Sequence, residues 1–277
     1  SILTSSGISE GKLKNRVIYW DDIPYAQPPI GDLRWKAPRK LIESNSIIEP
    51  KDDNFCIQKT SSLGGSSQFS EEAISGSEDC LYLDIIAPKK SSGKSLPVMF
   101  WIHGGGNTWG YSASNLFTDG DFVFDHDIVL VTTNYRLGPF GWFHYEGLNE
   151  NSSEPLDQTV NFGTLDTIKS LEWVNENIAS FGGDTKNVTI FGESAGGHNV
   201  YSLIASKRAE GLFHKAIAMS GYTTSISSAQ AYKQEKRSST SDFTSWNVVN
   251  LLTNNQQINL NKQEIRKILL STSANSF

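Results

Sequence analysis

The chain has 277 residues, 38% hydrophobic, 11% aromatic and 19% charged, enough apolar material for one large folded domain or two small ones and too little charge for a solvated, disordered chain. The formal net charge of −6, with basic residues scattered except for a short run at 233–237, argues against a nucleic-acid partner. The longest apolar run, at 96–102, is far short of a membrane span.

Ser1 is not Met, and no signal peptide is read near it, so the chain is either mature protein or a piece of something longer. Cys56 and Cys80 stand 24 apart, with no CxxC spacing and no histidine cluster to complete a metal site. No metal and no cofactor are expected. On spacing alone a disulfide and two buried thiols are equally open. Residues 61–77 are rich in Ser and Gly and read as a surface loop.

Two apolar runs, 96–102 and 128–133, read as strands; neither alternates with polar residues, so both faces should be covered. Residues 166–181 carry Ile168, Leu171, Val174 and Ile178 at helical spacing, and Gly182-Gly183 ends that helix. A third strand is expected at 187–191, a helix at 195–205 and a fourth strand at 215–219. Strands alternating with helices define an α/β fold with a mostly parallel central sheet flanked by helices. After about Thr223 the chain turns polar, with helical stretches at 246–252 and 263–270 and no recognisable strand. No repeat is present, and no linker divides the first 220 residues.

Gly192-Glu193-Ser194-Ala195-Gly196 fits G-x-S-x-G, the turn that lifts a serine hydroxyl between a strand and a helix. The bare pattern is weak. Gly7-Ile8-Ser9-Glu10-Gly11 fits it too, with neither strand before nor helix after, and reads as a coincidence in a turn. Ser194 has both flanks. A serine nucleophile needs donors aimed at the developing oxyanion. The Ala195 N–H at the helix start is one, and the glycines of His103-Gly104-Gly105-Gly106, directly after the first strand, leave Gly105 and Gly106 as the others. His103 is expected to organise its loop rather than act as a base. Similarly, His198 on the helix after Ser194 is expected to pack rather than to activate it.

Taken in order, these motifs make the chain resemble the N-terminal half of a type-B carboxylesterase, the cholinesterase-like family of the α/β-hydrolase fold. The resemblance runs through most of residues 16–221: Ile23-Pro24-Tyr25-Ala26, Leu33-Arg34-Trp35, Ser77-Glu78-Asp79-Cys80-Leu81-Tyr82-Leu83, Trp101 to Gly106, Asn134-Tyr135-Arg136-Leu137-Gly138-Pro139-Phe140-Gly141, Leu165-Asp166 and Phe191 to Gly197. It implies Ser194 as acyl-enzyme nucleophile, an oxyanion hole of Gly105, Gly106 and Ala195, a Cys56–Cys80 disulfide, a small-molecule carboxylic ester as substrate, and a secreted or periplasmic protein. Three positions depart from the family pattern: Asn107 where an aromatic residue is usual, Asp84 where Asn is common, and Thr167 where Gln often follows the aspartate.

In this fold the acid and the histidine follow the serine in sequence. Only His198 and His214 do so here, and Glu210 is too close to His214 to complete an acid–histidine pair across a site. Family members are about twice as long. The expectation is therefore a truncated esterase: residues 1–222 form the N-terminal portion of the hydrolase domain and 223–277 a polar, helical, lid-like region. This piece alone should be nearly inactive and should expose apolar surface. A non-catalytic, adhesion-type relative and a lipase or thioesterase are the alternatives. Asn151-Ser152-Ser153 and Asn187-Val188-Thr189 fit the glycosylation pattern and are expected to be unused.

Overall fold

A computed structural model describes residues 1–51, 54–60, 73–89, 93–112, 120–232, 244–255 and 259–277. The basic run at 233–237 and most of the expected loop at 61–77 lie outside the described residues. Two short hairpins come from the first third of the chain: β1 (Ile2–Thr4) with β2 (Gly7–Ser9), and β5 (Gln58–Lys59) with β6 (Ile74–Ser75). Both correct the sequence reading. The Gly7–Gly11 pattern is not a turn, because its first half is a strand with Ser9 buried, and residues 74–75 of the expected loop pair with Gln58–Lys59.

The central sheet has seven strands: β3 (Lys12–Lys14), β4 (Val17–Pro24), β7 (Tyr82–Pro88), β8 (Leu96–Ile102), β9 (Val129–Thr133), β10 (Gly183–Glu193) and β11 (Lys215–Met219). Their spatial order is β11-β10-β8-β9-β7-β4-β3. The first four are mutually parallel, and the β9–β7, β7–β4 and β4–β3 pairings are antiparallel, so five of the seven strands point one way. The helices are α1 (Gly120–Asp125), α2 (Gly138–Gly141), α3 (Phe162–Asn177), α4 (Ala195–Ala205), α5 (Ser228–Tyr232), α6 (Ser245–Leu252) and α7 (Lys262–Ser271).

Unbroken apolar strands bury both faces, and here alternate residues divide between two cores. Val98, Phe100 and Ile102 of β8 and Val129 and Val131 of β9 pack with Leu171 and Val174 of α3 and Val200 and Leu203 of α4. Trp101 and Leu130 point the other way, onto Val123 of α1. A third cluster joins Trp35, Phe143 and Phe162 to Val249 of α6 and to Ile265 and Leu269 of α7. Helix α3 begins four residues before the predicted start, because Phe162 and Gly163 are already buried, and its C-terminal part, Ile178–Phe181, tightens into a 3-10 turn closed by Gly182 at φ 86°.

Strands β4 and β7 were not expected from the sequence, and acidic residues explain why. Asp22 adopts φ 62° at a bulge where the β4–β7 register shifts between Trp20 and Ile23. Its N–H donates to Asp84 Oδ1 on β7 at 2.9 Å, and Ser112 Oγ donates to Asp84 Oδ2 at 2.6 Å. Asp84 is thus the buried acceptor that the bulge and the Ser112 hydroxyl require. Burial pushes its carboxyl up to about 7, and the negative charges of Asp22 and Asp21 add to the rise, against the lowering effect of the two hydrogen bonds.

The unfolded chain ionises an aspartate near pH 4, while the folded chain holds this proton to about pH 7. The folded state therefore binds more protons between these values, and stability falls as pH rises through that window. Asp84→Asn, which keeps an acceptor for Asp22 N–H, is expected to remove this penalty. Urea denaturation should give a variant more stable than the wild type by up to about 4 kcal/mol at pH 8, with a much smaller difference at pH 4.5. An equal difference at both values would contradict the assignment.

Candidate active site

The sheet creates the site through its connections. From β8 the chain crosses to β9 on one side, and from α3 it returns to β10 on the other side of β8. Helices leave the C-terminal ends of these neighbouring strands in opposite directions, which opens a crevice at that edge. The β8–β10 register pairs Ile102 with Gly192. Hence the segment after β8, His103 to Gly106, and the turn after β10, Glu193 to Ala195, emerge side by side.

Ser194 connects β10 directly to α4 and has φ 57° and ψ −120°, a combination that L-residues avoid and that only surrounding contacts can maintain. Its N–H donates to the Met219 carbonyl of β11 at 2.9 Å, and its carbonyl accepts from His198 N–H at 3.0 Å. The turn also demands close approach. A Cβ on Gly196 would overlap the carbonyl oxygen of Ile102 and lie 2.9 Å from that of His103, so the helix start can sit on the β8 end only with glycine there. Ser194 itself remains partly exposed. Ala195 opens α4, where backbone N–H groups have no intrahelical acceptor and the helix dipole favours negative charge.

The glycine loop curls beside it. Gly105 (φ 96°) and Gly106 (φ 62°) are both left-handed, and a Cβ on Gly105 would overlap the Trp109 carbonyl. The Gly105 carbonyl accepts from the N–H groups of Thr108 at 3.0 Å and Trp109 at 3.1 Å. Among the described residues, no protein acceptor takes the N–H of Gly105, Gly106 or Ala195. His103 is buried and stacks on Tyr135, ring centroids 4.4 Å apart. Burial lowers its pKa to about 4. The ring is therefore neutral, and Nδ1 carries the proton it donates to the Gly104 carbonyl at 2.8 Å. Tyr135 Oη in turn donates to the His103 carbonyl at 2.7 Å.

Asn107, at φ 58°, accepts from Asn199 Nδ2 of α4 at 2.9 Å and from Tyr135 Oη at 3.3 Å. It thereby ties the glycine loop to the helix that follows Ser194. A cleft of about 690 Å³ opens from Gly106 and Asn107 along α4, with Trp142, Asn161, His198 and Tyr222 in its walls. His198 Nδ1 donates to the Tyr222 carbonyl at 2.5 Å and its ring lies against Tyr222, while His214 Nδ1 accepts from Val188 N–H at 3.2 Å. Among the described residues, neither imidazole ring hydrogen-bonds the Ser194 hydroxyl. Beyond the site, β11 forms an exposed sheet edge, with Ile217 and Met219 open to solvent, and Tyr201 and Ile204 of α4 are exposed as well.

Cys56 and Cys80 form a disulfide with Cα atoms 4.8 Å apart. The bridge holds the β5–β6 hairpin against the start of β7, at the foot of the glycine loop. Closing a 24-residue loop is worth roughly 3 kcal/mol in the chain-entropy model. A Cys56→Ser, Cys80→Ser double variant should lose about that much in urea denaturation, and the wild type in excess reductant should match it.

Two further groups went unrecognised in the sequence. Arg136 donates through Nε and Nη2 to the two carboxylate oxygens of Asp166, at 2.7 and 2.6 Å, and through its own N–H to Oδ2 at 3.0 Å, all buried. Arg34 makes the same fork to Glu78, at 2.6 Å for both bonds, and also donates to the carbonyls of Leu269 and Thr272 at the end of α7. Four residues noted only as motif matches are thus two ion pairs. One pair binds the loop after β9 to α3, and the other binds the segment after β4 to the disulfide region.

A mixed sheet with a serine turn at a crossover, a glycine loop beside it and helices on both faces defines the α/β-hydrolase fold. Solved structures agree: a thermophilic PNB esterase superposes with a TM-score of 0.78 at 34% identity, over 99% of this chain and 51% of that one. A Geobacillus stearothermophilus carboxylesterase gives a TM-score of 0.65 at 37% identity, over 78% and 43% respectively. The chain belongs to the Carboxylesterase family, whose pattern matches residues 1–276. It is 41% identical to the para-nitrobenzyl esterase of Bacillus subtilis over 231 residues, which are 83% of this chain and 45% of that one. With the juvenile hormone esterase of Tribolium castaneum it shares 44% identity over 200 residues, 72% of this chain and 32% of that one. The chain thus spans between about a third and about half of the length of these relatives.

Proposed function

We propose that this chain is the nucleophile-bearing part of a serine esterase that cleaves small carboxylic esters through an acyl-enzyme on Ser194. The observation that carries the reading is the strained Ser194 turn lying beside the glycine loop, with the backbone N–H groups of Gly105, Gly106 and Ala195 taken by no described protein acceptor. Ser194 Oγ attacks the ester carbonyl and gives its proton to a histidine base. The three N–H groups receive the charge on the carbonyl oxygen, which is the main electrostatic contribution expected of such a site. The base then returns the proton to the departing alcohol, and water, deprotonated by the same base, releases the acid.

The base and its acid partner are assigned to sequence beyond residue 277, with residues 1–222 as the first portion of the hydrolase domain and 223–277 as a lid-like helical region. Family membership and the length ratio support that assignment. The disulfide supports an oxidising location, secreted or periplasmic. The test compares p-nitrophenyl acetate hydrolysis by the 277-residue chain and by the full-length gene product. The full-length product should turn over at least about 10³-fold faster, because a site without its base retains only oxyanion stabilisation and binding. Equal rates would overturn the assignment. A folded full-length product that hydrolyses no ester would favour a binding role.

A further inference from the structure

Gln58 is buried, and every polar atom of its side-chain amide is engaged. Nε2 donates to the Cys56 carbonyl at 2.9 Å and to the Gly110 carbonyl at 2.9 Å, while Oε1 accepts from Gly110 N–H at 2.8 Å. Both backbone groups of Gly110 are therefore held by one side chain. That side chain is itself tied to the half-cystine two residues before it.

Gly110 ends the glycine loop and packs back on its beginning. A Cβ there would overlap His103 Nδ1 and lie 2.9 Å from the Gly104 carbonyl. Trp109, its neighbour, lies against Gly105 and donates to the Gly105 carbonyl at 3.1 Å. The peptide planes of Gly105 and Gly106 thus have a support that is not part of the sheet: Gln58 on Gly110, and Trp109 on Gly105.

We infer that Gln58 is a positioning residue, a clamp by which the disulfide-anchored β5 strand sets the aim of the Gly105 and Gly106 N–H groups. This rests on the reading of those groups as oxyanion donors. The clamp acts only through backbone, so its loss should misdirect donors without altering the nucleophile or the cleft wall. A donor displaced by a fraction of an ångström weakens transition-state binding more than ground-state binding.

The test is Gln58→Ala beside Gln58→Glu, read in two ways. Amide hydrogen exchange should be at least about tenfold faster at Thr108 and Trp109 in Gln58→Ala, since both donate to Gly105, while the Phe100 and Val131 amides in the sheet remain unchanged. In the full-length product, kcat for p-nitrophenyl acetate should fall about 10- to 100-fold with KM within about twofold, the range expected when an oxyanion donor is misplaced. Gln58→Glu keeps the acceptor for Gly110 N–H and loses both donors while ionised. Its kcat should recover towards wild type as pH falls and the carboxyl gains a proton to donate to the Gly110 carbonyl.

Unchanged exchange at Thr108 and Trp109 would overturn the clamp whatever the activity. So would a Gln58→Ala loss that appears in KM alone or that tracks the unfolded fraction. If exchange changes as expected while the wild type hydrolyses no ester, the clamp stands and the esterase reading falls.

Discussion

Ser194→Ala in the full-length product is expected to lower kcat for ester hydrolysis on the order of 10⁶-fold, the loss seen when the nucleophile of a serine hydrolase is removed. What remains is the rate that oxyanion donors and binding supply without covalent chemistry, about 10³–10⁴ above water. The effect should be purely catalytic. Ser194 makes its structural bonds through backbone, N–H to Met219 and carbonyl to His198, and alanine keeps both. The urea midpoint should therefore match wild type. A variant that loses activity together with its fold would mean that the hydroxyl is structural, whereas one that retains a tenth of the activity would place the nucleophile elsewhere.

The second large effect concerns stability. Asp166→Ala leaves the Arg136 guanidinium buried without its carboxylate, and breaking a buried ion pair in this way costs about 3–5 kcal/mol. The environment gives no relief. Arg136 is 2% exposed and Asp166 is fully buried, and among the described residues Arg136 Nη1 already has no acceptor. Because Arg136 N–H also donates to Asp166, the variant strips the loop after β9 of a backbone acceptor as well. A whole domain is commonly stable by only about 5–15 kcal/mol, so a large part of that margin should disappear in urea denaturation. A loss under about 1 kcal/mol would show that water or another acceptor replaces the carboxylate.

The parts of the molecule that were legible in sequence are those written in contiguous residues. The run at 187–191 followed by the 195–205 periodicity showed the strand, the serine turn and the helix, because apolar spacing and tight-turn glycines are local signals. Strand β4 was hidden by Asp21-Asp22, whose bulge is accommodated only through Asp84 on the neighbouring strand. Strand β7 was hidden in turn by Asp84 in its middle. The Arg136–Asp166 and Arg34–Glu78 forks join residues 30 and 44 apart, and no periodicity encodes such partners. Gln58 gave no signal at all, since its place depends on Gly110, 52 residues onward, and on the disulfide that brings β5 under the loop.

Covalent labelling of Ser194 by an organophosphonate probe tests the central claim most directly. Intact-mass analysis of the full-length product should show one adduct per chain, peptide mapping should place it on Ser194, and Ser194→Ala should abolish it. A folded product that takes up no probe, or that carries the adduct on another residue, would contradict the account.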